Sequence, residues 1–295
     1  MSDKHHEAGE SAREIERYWT PERRHGAKPR ELTVKPRIRG ARTRETFDEP
    51  GVVEGHPPEG WKSERALSPE IRTDPYRVPP DRINFPPYSC IGQIFFTSAG
   101  NPFTGSAAVV GRNLLITAAH NLYDAGEWSK HVLFVPACRD DQGPFGSWAF
   151  NREWVKDAWY DERLHDHDIG LVRLDPGGVN NRAIGDVVGT LGYMFGGDPR
   201  QRSWLDVGYP GNFDDARQMY AQGGEYTRLL DDGGVVGMSG WLGSGTSGGP
   251  WMMWDQRYWP RIYGLHSFRM PNDYADEVFS PYFGDWVNQF IQNHV

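Results

Sequence analysis

From Val78 onward the sequence is built of short β-rich runs, roughly one every ten residues, separated by Gly, Asn, Asp and Pro. They are "IGQIFFT" (91–97), "SAAVV" (106–110), "LLITAA" (114–119), "HVLFVPA" (131–137), "DIGLVRL" (168–174), "SWLDVGY" (203–209), "RIYGLHSF" (261–268) and "VFSPYF" (278–283). Evenly spaced short strands with turn residues between them point to an all-β sandwich or barrel. The end of the chain breaks the pattern: in "YFGDWVNQFIQNHV", Phe283, Trp286, Phe290 and Ile291 fall at helical spacing, so a closing amphipathic helix is expected. Residues 1–77 differ again. They are proline-rich and poor in apolar residues, with one short helical candidate around Ser11–Trp19. Such a stretch buries too little surface to offset its chain entropy, so an irregular, extended or disordered leader is expected.

Charge narrows the function. The leader carries 16 Lys/Arg against 15 Asp/Glu and the rest 16 against 25, for a net charge of −8 overall. No basic face is available for nucleic acid. No run approaches the ~18 apolar residues of a membrane span, and the start shows no apolar stretch of a secretory signal. The two cysteines, Cys90 and Cys138, have no metal-site spacing. They are either buried free thiols or one disulfide closing a long loop, worth roughly 4 kcal/mol on the chain-entropy model.

One serine stands out. In "LGSGTSGGPW" (242–251), Ser247 is flanked by glycines, and Gly245–Gly249 satisfies the G-x-S-x-G pattern of α/β-hydrolase esterases. A serine hydroxyl needs a positioned base to act as a nucleophile. His120 ends the apolar strand "LLITAAH", and Asp168 opens the apolar strand "IGLVRL", where a carboxylate is costly without a partner. Each alone is more often structural. Together they run His120, Asp168, Ser247, the order of chymotrypsin-type proteases and not the Ser–Asp–His order of α/β-hydrolases. The His and Asp of "HDHD" (165–168) make a poor metal cage, so no metal and no cofactor are expected.

"LITAAH", "HDIGLVRL" and "GSGTSGGP" resemble the three catalytic blocks of chymotrypsin-like serine peptidases. "VGYPGN" (207–212), "YGLHSF" (263–268) and "VPPDRI" (78–83) resemble blocks of the bacterial glutamyl-endopeptidase branch, the last its mature N-terminus. The resemblance covers nearly all of 78–295. It implies two antiparallel six-stranded β-barrels, over 78–185 (with His120 and Asp168) and 186–295 (with Ser247 and the terminal helix). It implies Ser247 as nucleophile, His120 as general base and acid, Asp168 as its orienting carboxylate, and the N–H groups of Gly245 and Ser247 as the oxyanion hole.

The resemblance also implies a substrate pocket of Trp241, Leu242, Ser244, His266 and Ser267, with His266 facing an acidic P1 side chain. Leu242 stands where a carboxylate-binding threonine is usual, and Trp241 where a trypsin-like pocket would need its aspartate, so cleavage after Lys or Arg is not expected. The net charge of −9 on the body disfavours anionic substrates at long range. Many relatives bond a Cys beside the catalytic histidine to one 17 residues earlier; here those positions are Asn121 and Thr104. Thr246 removes the aspartate of the trypsin-like activation switch.

The resemblance marks the leader as a pro-segment cut between Arg77 and Val78, which would make the chain a zymogen; the alternative is a permanently attached tail. The expected protein is a monomeric serine endopeptidase acting on proteins or peptides, without nucleic-acid or membrane partners. It is extracellular by resemblance, with the cytoplasm as the alternative. The competing readings are a non-catalytic binding protein on the same fold and an esterase.

Overall fold

The computed structural model describes residues 2–32, 46–62, 68–253, 259–270 and 274–295. The leader contributes β1 (Asp3–Glu7), α1 (Ala12–Tyr18), α2 (Pro21–His25), β2 (Lys28–Pro29), β3 (Gly51–Val53) and β4 (Tyr76–Arg77). The first half of the body holds β5 (Ile91–Ser98), β6 (Asn101–Gly111), β7 (Leu114–Thr117), a small hairpin of β8 (Tyr123–Asp124) and β9 (Glu127–Trp128), β10 (Lys130–Pro136) and β11 (Trp148–Lys156). It ends with α3 (Asp157–Glu162), β12 (Gly170–Leu174) and α4 (Ile184–Val188). The second half holds β13 (Gly192–Phe195), β14 (Ser203–Gly208), β15 (Tyr220–Leu230), β16 (Val235–Ser239) and β17 (Pro250–Met253). After these come β18 (Arg261–Leu265), β19 (Phe268–Arg269), β20 (Glu277–Pro281) and α5 (Asp285–Gln292).

Six strands form a closed antiparallel barrel in the order β11-β10-β5-β6-β7-β12, with β12 returning to β11. Apolar side chains of these strands, such as Ile94, Val109, Leu115, Leu133, Val155 and Leu171, are all buried. The second half was expected to be another closed barrel. Instead its sheet runs β19-β20-β16-β15-β14-β17-β18-β13-β3, and its two ends do not meet among the described residues. The reason lies at the edges. Leader strand β3 takes the outer side of β13, while β19 is only two residues long after the chain breaks away from β18. The leader thus extends the sheet at the β13 edge.

The described part of the leader is ordered, against the expectation from its composition. It builds no core of its own. β1 pairs with β11, β2 with β6, β3 with β13 and β4 with β15, so its backbone groups are satisfied on edges that the body already supplies. The helical candidate forms as α1, with Ser11 and Glu14 in a reciprocal capping box. Ile15 and Trp19 then enter the barrel's core, and the Trp19 indole donates to the His131 carbonyl at 2.5 Å. Asp48 accepts from the backbone N–H of Asp285 at 3.0 Å, which satisfies a donor at the start of α5.

The candidate cleavage site sits inside this scaffold. Arg77 lies in β4, and the Val78 N–H donates to Met219 O at 2.9 Å with the Val78 side chain buried. The candidate disulfide is absent: Cys90 and Cys138 are separate buried thiols. The Cys90 thiol points at Val188 O, 3.2 Å away, and burial pushes its pKa up to about 12. Among the described residues no helix is long and apolar enough to cross a membrane, and no His/Cys/Asp/Glu group could hold a metal.

If the leader is a structural part of the fold, Trp19→Ala should destabilise the full chain by about 3–5 kcal/mol in denaturant unfolding. A passive tail would show no change.

Candidate active site

The three candidate catalytic residues come from three places that the strand pairing brings together. β7 ends at Thr117, and Ala118 and Ala119 are fully buried, so the chain can turn tightly and carry His120 into the interior. Asp168 sits two residues before β12, which pairs with β7. Its carboxylate is completely buried and takes three hydrogen bonds. The His120 N–H donates to Oδ1 at 2.9 Å, His120 Nδ1 lies 2.8 Å from Oδ2, and the Ser267 hydroxyl donates to Oδ2. Burial pushes the Asp168 pKa up. The neighbouring His120 and these hydrogen bonds outweigh burial and hold it below the usual carboxylate value. An ionised carboxylate only accepts, so Nδ1 carries the proton and Nε2 is left as a base. That nitrogen is buried and has no hydrogen-bond partner among the described residues.

Ser247 lies in a loop that only glycine permits. Gly245 and Gly248 have φ of +89° and +87°. A side chain at Gly248 would place its Cβ 2.1 Å from Thr117 Oγ1 and 2.3 Å from Ser106 O, and one at Gly245 would meet Tyr209 O at 2.5 Å. The loop is fixed from below. The Ser247 carbonyl accepts from the Ser106 N–H (2.8 Å) and from Asn121 Nδ2 (2.9 Å), and Ser106 Oγ donates to Gly245 O. Asn121 thus stitches the histidine segment to the serine segment. The missing Cβ of Gly105 makes room for its amide, which a side chain there would meet at 2.7 Å. Thr246 is fully buried.

The serine does not bond the histidine. Its hydroxyl is 3.4 Å from the carbonyl oxygen of Arg30, which also accepts from the Gly245 N–H at 2.7 Å. Arg30 follows β2, which runs parallel to Phe103–Thr104 of β6, and its own N–H donates to Thr104 O at 2.7 Å. The sequence placed the leader outside the resemblance, so this contact was invisible to it.

Beside Ser247 a small pocket is lined by Ser244, His266, Ser267, Phe268 and Arg269, together with Glu31 and Leu32 of the leader. Three of the five expected pocket residues line it. Trp241 instead stands 43 % exposed with its indole N–H on Asp276 (2.8 Å), and Leu242 is fully buried. Behind His266 lies a residue the sequence reading missed. Asp206 of β14, also buried, accepts from His266 Nδ1 at 2.8 Å, and burial raises its pKa against the opposing effect of His266. The signal was present in "SWLDVGY": a carboxylate inside an apolar strand, the same cue that marked Asp168.

No protein-family model and no curated protein matches the sequence. Solved structures do. The protease Anisep from Arthrobacter nicotinovorans aligns with a TM-score of 0.61 at 23% identity, covering 68% of this chain and 93% of that one. The thermostable serine protease AL20 from an extremophilic microorganism aligns with a TM-score of 0.61 at 21% identity, covering 70% and 98%. A Glu endopeptidase in complex with MPD aligns with a TM-score of 0.61 at 18% identity, covering 76% and 98%. The chain has the chymotrypsin-like serine-protease fold. The similarity spans nearly the whole length of each protease and leaves about a quarter to a third of this chain outside it.

The depressed pKa of Asp168 has a defined sign. Its charge stabilises the native state fully above the ordinary carboxylate pKa of about 4 and is lost as pH falls through the lower native value. The difference in thermal stability between wild type and Asp168→Asn should therefore be constant above that pH and shrink below it.

Proposed function

We propose that the protein is a serine endopeptidase in which Ser247, His120 and Asp168 act as a triad. The observation that carries this reading is that a peptide carbonyl, that of Arg30, already rests between the Gly245 N–H and the Ser247 hydroxyl. The Gly245 N–H, which holds a neutral carbonyl oxygen beside the serine, is placed to hold the oxyanion of a substrate carbonyl that Ser247 attacks.

In the proposed reaction Ser247 Oγ attacks the scissile carbonyl and His120 Nε2 takes its proton. Asp168 stays ionised, fixes the imidazole through Nδ1 and stabilises the imidazolium. The N–H groups of Gly245 and Ser247 receive the developing negative charge. Collapse of the tetrahedral intermediate breaks the C–N bond, and His120 returns the proton to the leaving amine. Water then repeats the sequence on the acyl-enzyme and frees the acid.

For P1 we favour an acidic side chain. Ser244 and, in its doubly protonated form, His266 offer donors around one small pocket with the Arg269 cation beside it, and Asp206 fixes the His266 ring from behind. Glu31 lies in that same lining, and one structural neighbour is a Glu endopeptidase. His266→Ala should lower kcat/KM for acidic P1 peptides by about ten- to a hundredfold, since the site loses one donor to a charged group. Cleavage after apolar P1 residues should change little. A peptide-library digest read by mass spectrometry checks this.

The direct test of the chemistry is labelling with a fluorophosphonate. The full chain should label, and Ser247→Ala should not; peptide hydrolysis should fall by on the order of 10⁶. A folded chain that cleaves activated esters but no peptide would favour the esterase reading. One that never labels, whatever covers the site, would favour a binding role.

A further inference from the structure

We infer that residues Lys28–Leu32 form an autoinhibitory strap that crosses the active site in the direction opposite to a substrate, and so blocks it without being cut. The inference rests on the serine-peptidase reading and concerns how that site is regulated.

The polarity follows from where the strap's residues lie on either side of the Arg30 carbonyl. In a peptidase the residue supplying the scissile carbonyl, and those before it, belong to the acyl half and occupy the specificity pocket. The residues after it leave with the amine on the other side. Here the arrangement is inverted. Lys28 and Pro29, which precede the carbonyl, pair with Phe103 and Thr104 of β6, and none of these four lines the pocket. Glu31 and Leu32, which follow it, line the pocket with His266, Ser267 and Phe268. The Arg269 N–H lies 3.5 Å from Leu32 O, which continues the strap along β19. Attack on Arg30 would therefore direct the amine into the pocket that must retain the acyl group. Ser247 meets the carbonyl through its hydroxyl hydrogen, a donor contact that is the opposite of nucleophilic attack.

The strap is anchored at both ends by its own side chains. The Arg30 guanidinium pairs with Asp124 and stands over the Phe103 ring, 4.7 Å from its centroid. Leu32 packs against the apolar group of Val235, Phe268, Met270 and Phe279. Between these anchors the Gly245 N–H, half of the expected oxyanion hole, is taken. Cleavage at Arg77–Val78 would not remove the block, because residues N-terminal to the strap are held by β1 and Trp19.

The test uses the full chain and the double variant Arg30→Ala/Leu32→Ser, which keeps every proposed catalytic residue. Two readouts are taken: the rate of Ser247-dependent fluorophosphonate labelling, and hydrogen exchange of the Gly245 amide. In the wild type the Gly245 amide should be protected. The variant should exchange it at least tenfold faster and label at least tenfold faster. A Gly245 amide that exchanges freely in the wild type overturns the strap, whatever the activity. Faster exchange with unchanged labelling overturns its inhibitory role alone. Faster exchange with no labelling of either protein overturns the peptidase reading, and inhibition with it. A new N-terminus at Glu31 in purified wild-type protein would make the strap a substrate and overturn the inverted polarity. If the double variant does not fold, wild-type exchange at Gly245 and the intact Arg30–Glu31 bond decide the matter by themselves.

Discussion

The buried carboxylate of Asp168 is the constraint on which the site depends. An ion removed from water costs several kcal/mol unless its lone pairs are met, and here three donors from two separate segments meet them. The His120 backbone and ring come from the end of β7, and the Ser267 hydroxyl comes from the break between β18 and β19. One charge thus fixes the histidine's tautomer and ties the closed barrel to the open sheet. Between β18 and β19, His266 exchanges backbone bonds with Gly248 and Gly249 and the Ser267 N–H donates to Phe279 O, while their side chains go to Asp206 and Asp168.

The serine loop is held on the same principle, that buried polar groups must be paired. Ser106, in the middle of β6, satisfies the Ser247 and Gly245 carbonyls and accepts from the Tyr209 N–H. Asn121 adds a side-chain amide to the Ser247 carbonyl from the turn that carries His120. The histidine turn is thereby tied by a hydrogen bond to the nucleophile's own peptide. This tie is coupled to a glycine, because the Asn121 amide occupies the space where a side chain at position 105 would stand.

The sequence was informative wherever a local pattern carries the structure. The run "LLITAAH", the apolar strand behind Asp168 and the glycines around Ser247 each announce a conformation that few other residues allow, and all three meet in space. The strands Trp148–Lys156 and Tyr220–Leu230 were passed over because "WAFNREWVK" and "YAQGGEYTRLL" mix charge and glycine with apolar residues. Their neighbours on the sheet, and not their own pattern, make them strands. The open second sheet was equally hidden, since β3, which occupies the β13 edge, comes from far back in the leader. Asp206 is less legible than Asp168 because its partner His266 is 60 residues away in sequence and its strand, "SWLDVGY", carries no catalytic block.

The leader shows how composition misleads when a segment folds on a partner that is already built. Its few apolar residues are spent at points of insertion, Ile15 and Trp19 in the barrel and Leu32 beside the pocket, while its backbone bonds go to existing strand edges. Its charges face those of the body: Arg30 meets Asp124, Asp3 meets Lys156, Glu54 meets Arg261, and Glu59 meets Arg182. The Glu54–Arg261 and Glu59–Arg182 pairs each have an exposed partner, contribute at most about 1 kcal/mol each and fade with salt, whereas Arg30–Asp124 and Asp3–Lys156 are mostly buried. Near its start the segment is held by the fully buried Ile15 and Trp19, while where it crosses Ser247 its apolar anchor is the part-buried Leu32. Local opening follows the weakest contacts. A strap of five residues can lift from the site while Trp19 and β1 stay in place, so access to Ser247 does not require the fold to be dismantled.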